Sequence, residues 1–189
     1  IRCNKAGVIA FMSVGVNDED RLHDLADALC SFWCVDIANG FSDSAARVIE
    51  KIRKISAVPV TIMAGNVATA EGAMFLRDAG ADIIKVGIGP SGVCSTRLVT
   101  GCGYPQLTAV AECSEVVDYV IADGGIRTSG DIVKDLVAGA DAVMIGKLFA
   151  GCPEAPLPGK YIGMASEEAR DALPCTKGKN TTVEGISAL

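Results

Sequence analysis

Short apolar runs alternate with amphipathic stretches along the whole chain. The runs Val8–Val14, Phe32–Ile37, Val60–Met63, Ile83–Val86, Tyr119–Ala122 and Ala142–Ile145 are nearly continuous in hydrophobic residues, the pattern of parallel strands covered on both faces. Between them apolar residues recur at helical spacing: Leu22, Leu25 and Leu29 within Asp18–Leu29, and Val48, Ile49, Ile52 and Ile55 within Ser42–Ile55. Further helices are expected over Ala70–Ala79, Gln106–Cys113 and Ser129–Ala138, the last opened by Thr128 with Asp131 three residues on, a capping signal. The segment AGADIIKVGIG (Ala79 to Gly89) is echoed by AGADAVMIGKL (Ala138 to Leu148). Each reads as helix end, glycine, strand and a second glycine at the strand's carboxyl end. Such repetition is what a (β/α) barrel requires, with ligand loops after the strands.

Composition narrows this picture. The 189 residues suffice for one domain, and a mixture that is 50% hydrophobic but only 5% aromatic, with 21 glycines, suits an α/β protein. A net charge of -6 argues against a nucleic-acid partner, yet leaves room for a phosphorylated ligand held by backbone N–H groups. The eight cysteines never form a C-x-x-C pair, which excludes a zinc site of that kind and argues against a disulfide framework. No apolar run approaches the roughly 18 residues of a membrane span, and the amino end lacks a signal peptide's layout. A cytoplasmic protein with no membrane partner is the expectation. His23 is the only histidine, so no His-based triad or His-ligated metal can be built from this chain.

Candidate chemistry concentrates between Lys85 and Gln106, KVGIGPSGVCSTRLVTGCGYPQ. A strand opens there into a glycine-rich loop carrying Cys94, with Thr96 and Arg97 just after it. A thiol in such a loop is poorly placed to pack, and a thiolate is a strong nucleophile where its surroundings lower its pKa. Two glycine turns, Asp123-Gly124-Gly125 and Gly146-Lys147, follow the last two strands, the commonest place for a barrel to cradle phosphate.

The Cys94 loop, with GNVATAE (Gly65 to Glu71), ADGGIRTSGDIVKDL (Ala122 to Leu136), VMIGKLFAG (Val143 to Gly151) and YIGMAS (Tyr161 to Ser166), resembles the IMP dehydrogenase/GMP reductase family in colinear order. The resemblance implies a (β/α)8 TIM barrel spanning residues 1–189 as one catalytic domain, incomplete here. Its first two βα units would lie before Ile1 and its sequence would continue past Leu189. It implies that Cys94 attacks C2 of a purine nucleotide, GMP or IMP, with Thr96 and Glu184 handling protons. Asp123 would hold the ribose. Gly124, Gly125, Gly146, Lys147, Tyr161, Gly163 and Met164 would complete the substrate site. Asp36, Ala38 and Asn66 would meet the nicotinamide cofactor, NADPH, and the carbonyls of Gly87, Gly89 and Cys94 would hold a monovalent cation such as potassium. A homotetramer and a mobile flap over 164–184 belong to the same expectation.

Within the family the reductase branch is the better match. VDIANGFS (Val35 to Ser42) and TGCGYPQLTAV (Thr100 to Val110) resemble reductase segments, and the interval from Met164 to Glu184 is short and lacks the Arg-Tyr pair with which a dehydrogenase activates water. The expected reaction is reductive deamination of GMP. The alternatives are oxidation of IMP to XMP with NAD and a non-catalytic nucleotide-binding barrel. This chain departs from the family in having Ser91-Gly92 for Gly-Ser, so that the phosphate-contacting serine is Gly92, in Lys147 where Gly or Ser is usual, and in Ala165 for Gly or Ser. Lys147 is expected to supply phosphate-binding charge in place of the missing hydroxyl.

Overall fold

The computed structural model describes residues 7–94, 96–155, 159–163 and 187–188. Strands and helices alternate: β1 (Met12–Val14), α1 (Glu19–Asp27), β2 (Phe32–Asp36), α2 (Asp43–Ile55), β3 (Thr61–Val67), α3 (Ala70–Asp78), β4 (Ile83–Val86), a one-turn α4 (Thr96–Val99), α5 (Gln106–Ser114), β5 (Val120–Asp123), α6 (Ser129–Val137) and β6 (Ala142–Met144). These six strands form one sheet in the order β1 to β6, every neighbouring pair parallel. A doubly wound sheet reverses its strand order at a switch point, whereas a barrel keeps winding in one direction. The order here is the barrel's, over six successive strands. A separate antiparallel pair joins β7 (Tyr161–Ile162) to β8 (Ser187–Ala188).

Local chemistry explains where the helices begin and which face they bury. Ser42 accepts the amide of Ala45 at the start of α2, Thr69 accepts that of Gly72 at α3, and Thr128 and Asp131 cap each other's backbone in a full capping box at α6. The apolar stripe of α2 buries Val48, Ile49 and Ile52 against the sheet. The core is continuous from Leu22 through Trp33, Ile62, Leu76 and Ile84 to Val110 and Val120. Trp33 is fully enclosed, and its indole N–H donates to the Cys30 carbonyl at 2.8 Å.

The sequence echo is a structural repeat. Gly80 and Gly139 both take positive φ, 106° and 110°, which turns the chain from helix to strand. In each copy the following aspartate clasps the preceding strand: Asp82 Oδ2 accepts the Ile62 amide at 2.7 Å, and Asp141 Oδ2 accepts the Val120 amide at 2.8 Å.

Several boundaries differ from expectation. β1 begins only at Met12, and among the described residues Val8 and Ile9 stand 54% and 69% exposed. Helix α1 stops at Asp27, which leaves Leu29 exposed in the left-handed region rather than on the buried stripe. β3 runs on to Val67 through Gly65 and the polar Asn66. β6 is not covered on both faces: among the described residues it is a sheet edge, and Met144 is 37% exposed. The expected flap, 164–184, lies outside the described residues. Among those described, no helix is long and apolar enough to cross a membrane.

Candidate functional site

Four strands bring their carboxyl ends to one buried cation. Lys85 on β4 is 3% exposed, and its ammonium donates to Asp36 Oδ1 on β2 and to Asp123 Oδ2 on β5, each at 2.7 Å, and to Asn66 Oδ1 on β3. An ammonium has three N–H donors, and here each has an acceptor. Asn66 reaches the cluster because the register between β3 and β4 shifts between Gly65 and Val67, the kind of irregularity that re-aims a side chain. Its Nδ2 then donates to Asp123 Oδ2 at 2.9 Å and to the Gly87 carbonyl at 2.8 Å. Burial alone pulls Lys85 toward the neutral form, but the charges and hydrogen bonds of Asp123 and Asp36 outweigh it and hold its pKa above the ordinary lysine value. Beneath this cluster the Cys34 thiol, pushed up to about 11 by burial, stays protonated.

The loop after β4 presses against the end of β5. A Cβ on Gly87, at φ 149°, would meet the Asp123 carbonyl at 2.2 Å, so only glycine admits this approach. Further along, the Cys94 thiol donates to Thr96 Oγ1 at 3.1 Å, with both residues partly exposed. Arg97, a candidate for stabilising a thiolate, instead donates to the Tyr104 carbonyl at 2.6 Å. The Gly87 carbonyl already accepts from Asn66, so a cation bound there would share that oxygen.

Beside the loop lies a cavity of about 330 Å³, at the small end of the range for ligand pockets. Its floor and walls are Gly124, Gly125, Gly146, Pro90, Ser91 and Gln106. Arg97, Arg127 and Lys147, all exposed, supply its cations, and Tyr161 closes it. Ser91 Oγ lies 3.3 Å from the Tyr161 hydroxyl. The hydroxyl missing at position 92 is therefore present one residue earlier and faces the same cavity, a compensation the sequence reading did not foresee. A Cβ on Gly146 would strike the Tyr161 ring at 2.9 Å, so glycine is what lets the aromatic ring close over the turn. Gln106 anchors the rear by donating to the Val86 carbonyl at 2.9 Å, and its buried Oε1 has no partner among the described residues.

The cavity thus gathers five of the expected residues, Gly124, Gly125, Gly146, Lys147 and Tyr161. Asp123 joins it to the lysine cluster, because the chain passes directly from that carboxylate into Gly124. Asp36 and Ala38 are exposed at the end of β2, whereas Asn66 spends both amide atoms inside the protein. Gly163 is buried after β7. Met164 and Glu184 lie outside the described residues. Lys85, Ser91 and Gln106 are additions that sequence reasoning missed. The only signal for Lys85 was a charged residue inside an apolar strand.

The family model for the IMP dehydrogenase / GMP reductase domain matches residues 3–182. Inosine-5'-monophosphate dehydrogenase of Aquifex aeolicus is 51% identical over 150 residues, covering 76% of this chain and 30% of that protein. GMP reductase of Leishmania donovani is 45% identical over 163 residues, covering 81% of this chain and 32% of that protein. A crystal structure of a cysteine-to-alanine GMP reductase from Trypanosoma brucei, in complex with guanosine 5'-monophosphate, superposes with a TM-score of 0.85 at 38% identity, covering 96% of this chain and 41% of that one. The chain thus spans about a third to two fifths of the length of these relatives. With this sheet order and these matches, the chain belongs to the IMP dehydrogenase/GMP reductase family.

Proposed function

We propose that this chain carries the nucleotide site of a GMP reductase, which converts GMP to IMP and ammonia at the expense of NADPH. The observation that carries the reading is the Cys94 thiol, hydrogen-bonded to Thr96 at 3.1 Å on the same loop whose Pro90 and Ser91 wall the glycine cavity. A phosphate in that cavity would meet the hydroxyls of Ser91 and Tyr161 and the charges of Lys147 and Arg127. Asp123, just behind Gly124, would accept from the ribose hydroxyls. Cys94, once its proton has passed to Thr96 or beyond, adds its sulfur to C2 of the purine, and the C2 amino group leaves as ammonia after gaining a proton. NADPH supplies a hydride when bound. That hydride takes the place of the sulfur at C2, so the thiolate is released and IMP is formed. Asp36 and Ala38, exposed at the end of β2, are assigned to the nicotinamide end by resemblance. Glu184 is assigned to proton handling by resemblance, and so are the potassium site, the homotetramer and the cytoplasmic location.

Support for the reductase branch comes from VDIANGFS and TGCGYPQLTAV and from the likeness to a GMP reductase structure holding GMP. A second reading, oxidation of IMP to XMP with NAD, is favoured by the 51% identity to a dehydrogenase. Loss of NADPH absorbance on adding GMP to the full-length protein tests the first. Formation of XMP from IMP and NAD would identify the second. Binding of GMP with neither turnover would identify a non-catalytic nucleotide-binding barrel.

A further inference from the structure

Lys85 is an unusual residue to bury. It sits on β4, reaches past β3 to the carboxylate of Asp36 on β2, and on its other side meets Asp123 on β5. Adjacent strands are about 4.8 Å apart, so a side chain linking β4 to β2 must be long. The cluster of Asp36, Lys85 and Asp123 carries one net negative charge, and Asn66 completes the lysine's third hydrogen bond. What matters is which oxygens are used. Lys85 takes Oδ1 of Asp36 and Oδ2 of Asp123, while the second oxygen of each has no hydrogen-bond partner among the described residues. Those carboxylates are 48% and 23% exposed, whereas the ammonium between them is 3% exposed. Each carboxylate is therefore anchored on its inner oxygen and has its outer one available to a ligand.

We propose that Lys85 is a positioning residue shared by the two halves of the site, fixing Asp123 toward the nucleotide's ribose and Asp36 toward the cofactor. The inference rests on the reading of this site as one for a purine nucleotide and a nicotinamide cofactor. Its physical basis is preorganisation. A carboxylate pinned on one side loses little rotamer freedom when a ligand hydroxyl arrives on the other, so more of the hydrogen bond appears as affinity. An unpinned Asp123 facing an unpinned Asp36 would instead turn away from its like-charged neighbour and present no fixed acceptor.

Calorimetric binding of GMP and of 2′,3′-dideoxy-GMP to the full-length protein reads the worth of the ribose hydroxyls. In the wild type GMP is preferred by roughly ten-fold or more, the scale of hydrogen bonds to a charged group. Lys85→Met brings that preference to within about two-fold, while the phosphate cavity still retains both nucleotides. Because this change strands two carboxylates without a cation, it can compromise folding. Lys85→Met combined with Asp36→Asn removes one of the two charges and gives the same readout. Asp36→Asn alone, which keeps the lysine, leaves the ribose preference intact and raises KM for NADPH several-fold. A lysine with only a structural part would weaken both nucleotides equally. An undiminished preference for GMP in either lysine variant, or an unchanged KM for NADPH in Asp36→Asn, overturns the proposal. A wild-type protein that binds neither nucleotide overturns the reading of the site itself, and this inference with it.

Discussion

The Cys94 sulfur and the Thr96 hydroxyl lie 3.1 Å apart, Cys94 near the end of the loop that follows β4 and Thr96 at the first position of α4. A thiol this close to a hydroxyl has a proton acceptor and later a proton donor within reach, which is the geometry general acid–base catalysis needs. Cys94→Ala should abolish NADPH consumption and leave the dissociation constant for GMP within about three-fold of wild type, since the phosphate cavity is untouched. Thr96→Val, nearly isosteric but unable to exchange a proton, should lower kcat by about 10² or more while KM for GMP stays near its wild-type value. Steady-state kinetics on the two variants check this. A Thr96→Val enzyme with unchanged kcat would remove the hydroxyl from the mechanism.

The described cysteines differ sharply in access, and a thiol-labelling experiment should rank them. Cys102 is exposed, whereas Cys34 and Cys113 are buried, with pKa values pushed by burial up to about 11 and about 12. Only the thiolate reacts. At about pH 8 iodoacetamide should label Cys102 quickly and leave Cys34 and Cys113 unmodified until the chain is unfolded in denaturant. Cys94 should be labelled in the free protein and protected by GMP. Peptide mass mapping with and without the nucleotide separates these outcomes, and labelling of Cys94 indifferent to GMP would count against the proposed site.

Two residues around the cavity invite a comparison of charge with hydroxyl. Lys147 is exposed, so its contribution to holding a phosphate is about 1 kcal/mol and screened by salt. Ser91 is partly buried beside Tyr161, and its uncharged hydroxyl contributes a short-range hydrogen bond to the phosphate, about 1 kcal/mol or somewhat more, that salt screens far less. Lys147→Ala should therefore weaken GMP binding about five-fold at low ionic strength and much less at about 0.5 M salt. Ser91→Ala should cost a similar factor at both. Titration calorimetry at two salt concentrations distinguishes them. If Lys147→Ala binds GMP as the wild type does at low salt, Lys147 takes no part in holding the phosphate, and the cradle works through its other groups.

What could be read from the sequence was what depends on neighbours close along the chain. The run Ile83–Val86 appears as a strand with those same ends, the Thr128–Asp131 pair is a capping box, and the repeated AGAD segments adopt the same turn and the same aspartate clasp. The glycine turns also mark the cavity, because close approach of backbone to a ligand requires glycine wherever it occurs. What escaped was set by distant partners. Lys85 at a strand end reads as a solvated charge until Asp36 and Asp123, 49 and 38 residues away, fold against it. Ser91 reads as a misplaced serine until Tyr161, 70 residues on, meets its hydroxyl. Coverage of β6 could not be judged from its own apolar run, since exposure depends on what lies beside the strand and not on the strand.

Asp131 ties fold stability to the cavity and gives a pH test. Its Oδ2 accepts the backbone amides of Arg127 and Thr128 at 3.0 and 3.1 Å, so it fixes the turn that carries Arg127 to the cavity wall. The Arg127 amide is the main cause of a pKa held below the ordinary 3.8. A carboxylate whose pKa is lower folded than unfolded contributes stability above its unfolded value and loses it as pH falls through the folded one. Asp131→Ala should therefore melt at a lower temperature than wild type at pH 7. The gap should narrow as pH drops below about 4, where the wild-type carboxyl takes up its proton and caps less well. The same variant should weaken GMP binding only slightly at pH 7, because Gly124 and Gly125 precede the turn that loosens and Gly146 lies beyond it after β6. Thermal melts of both proteins between about pH 3 and 7 decide the matter. A melting-temperature gap that stays constant over that range would mean that Asp131 acts through packing and not through its charge.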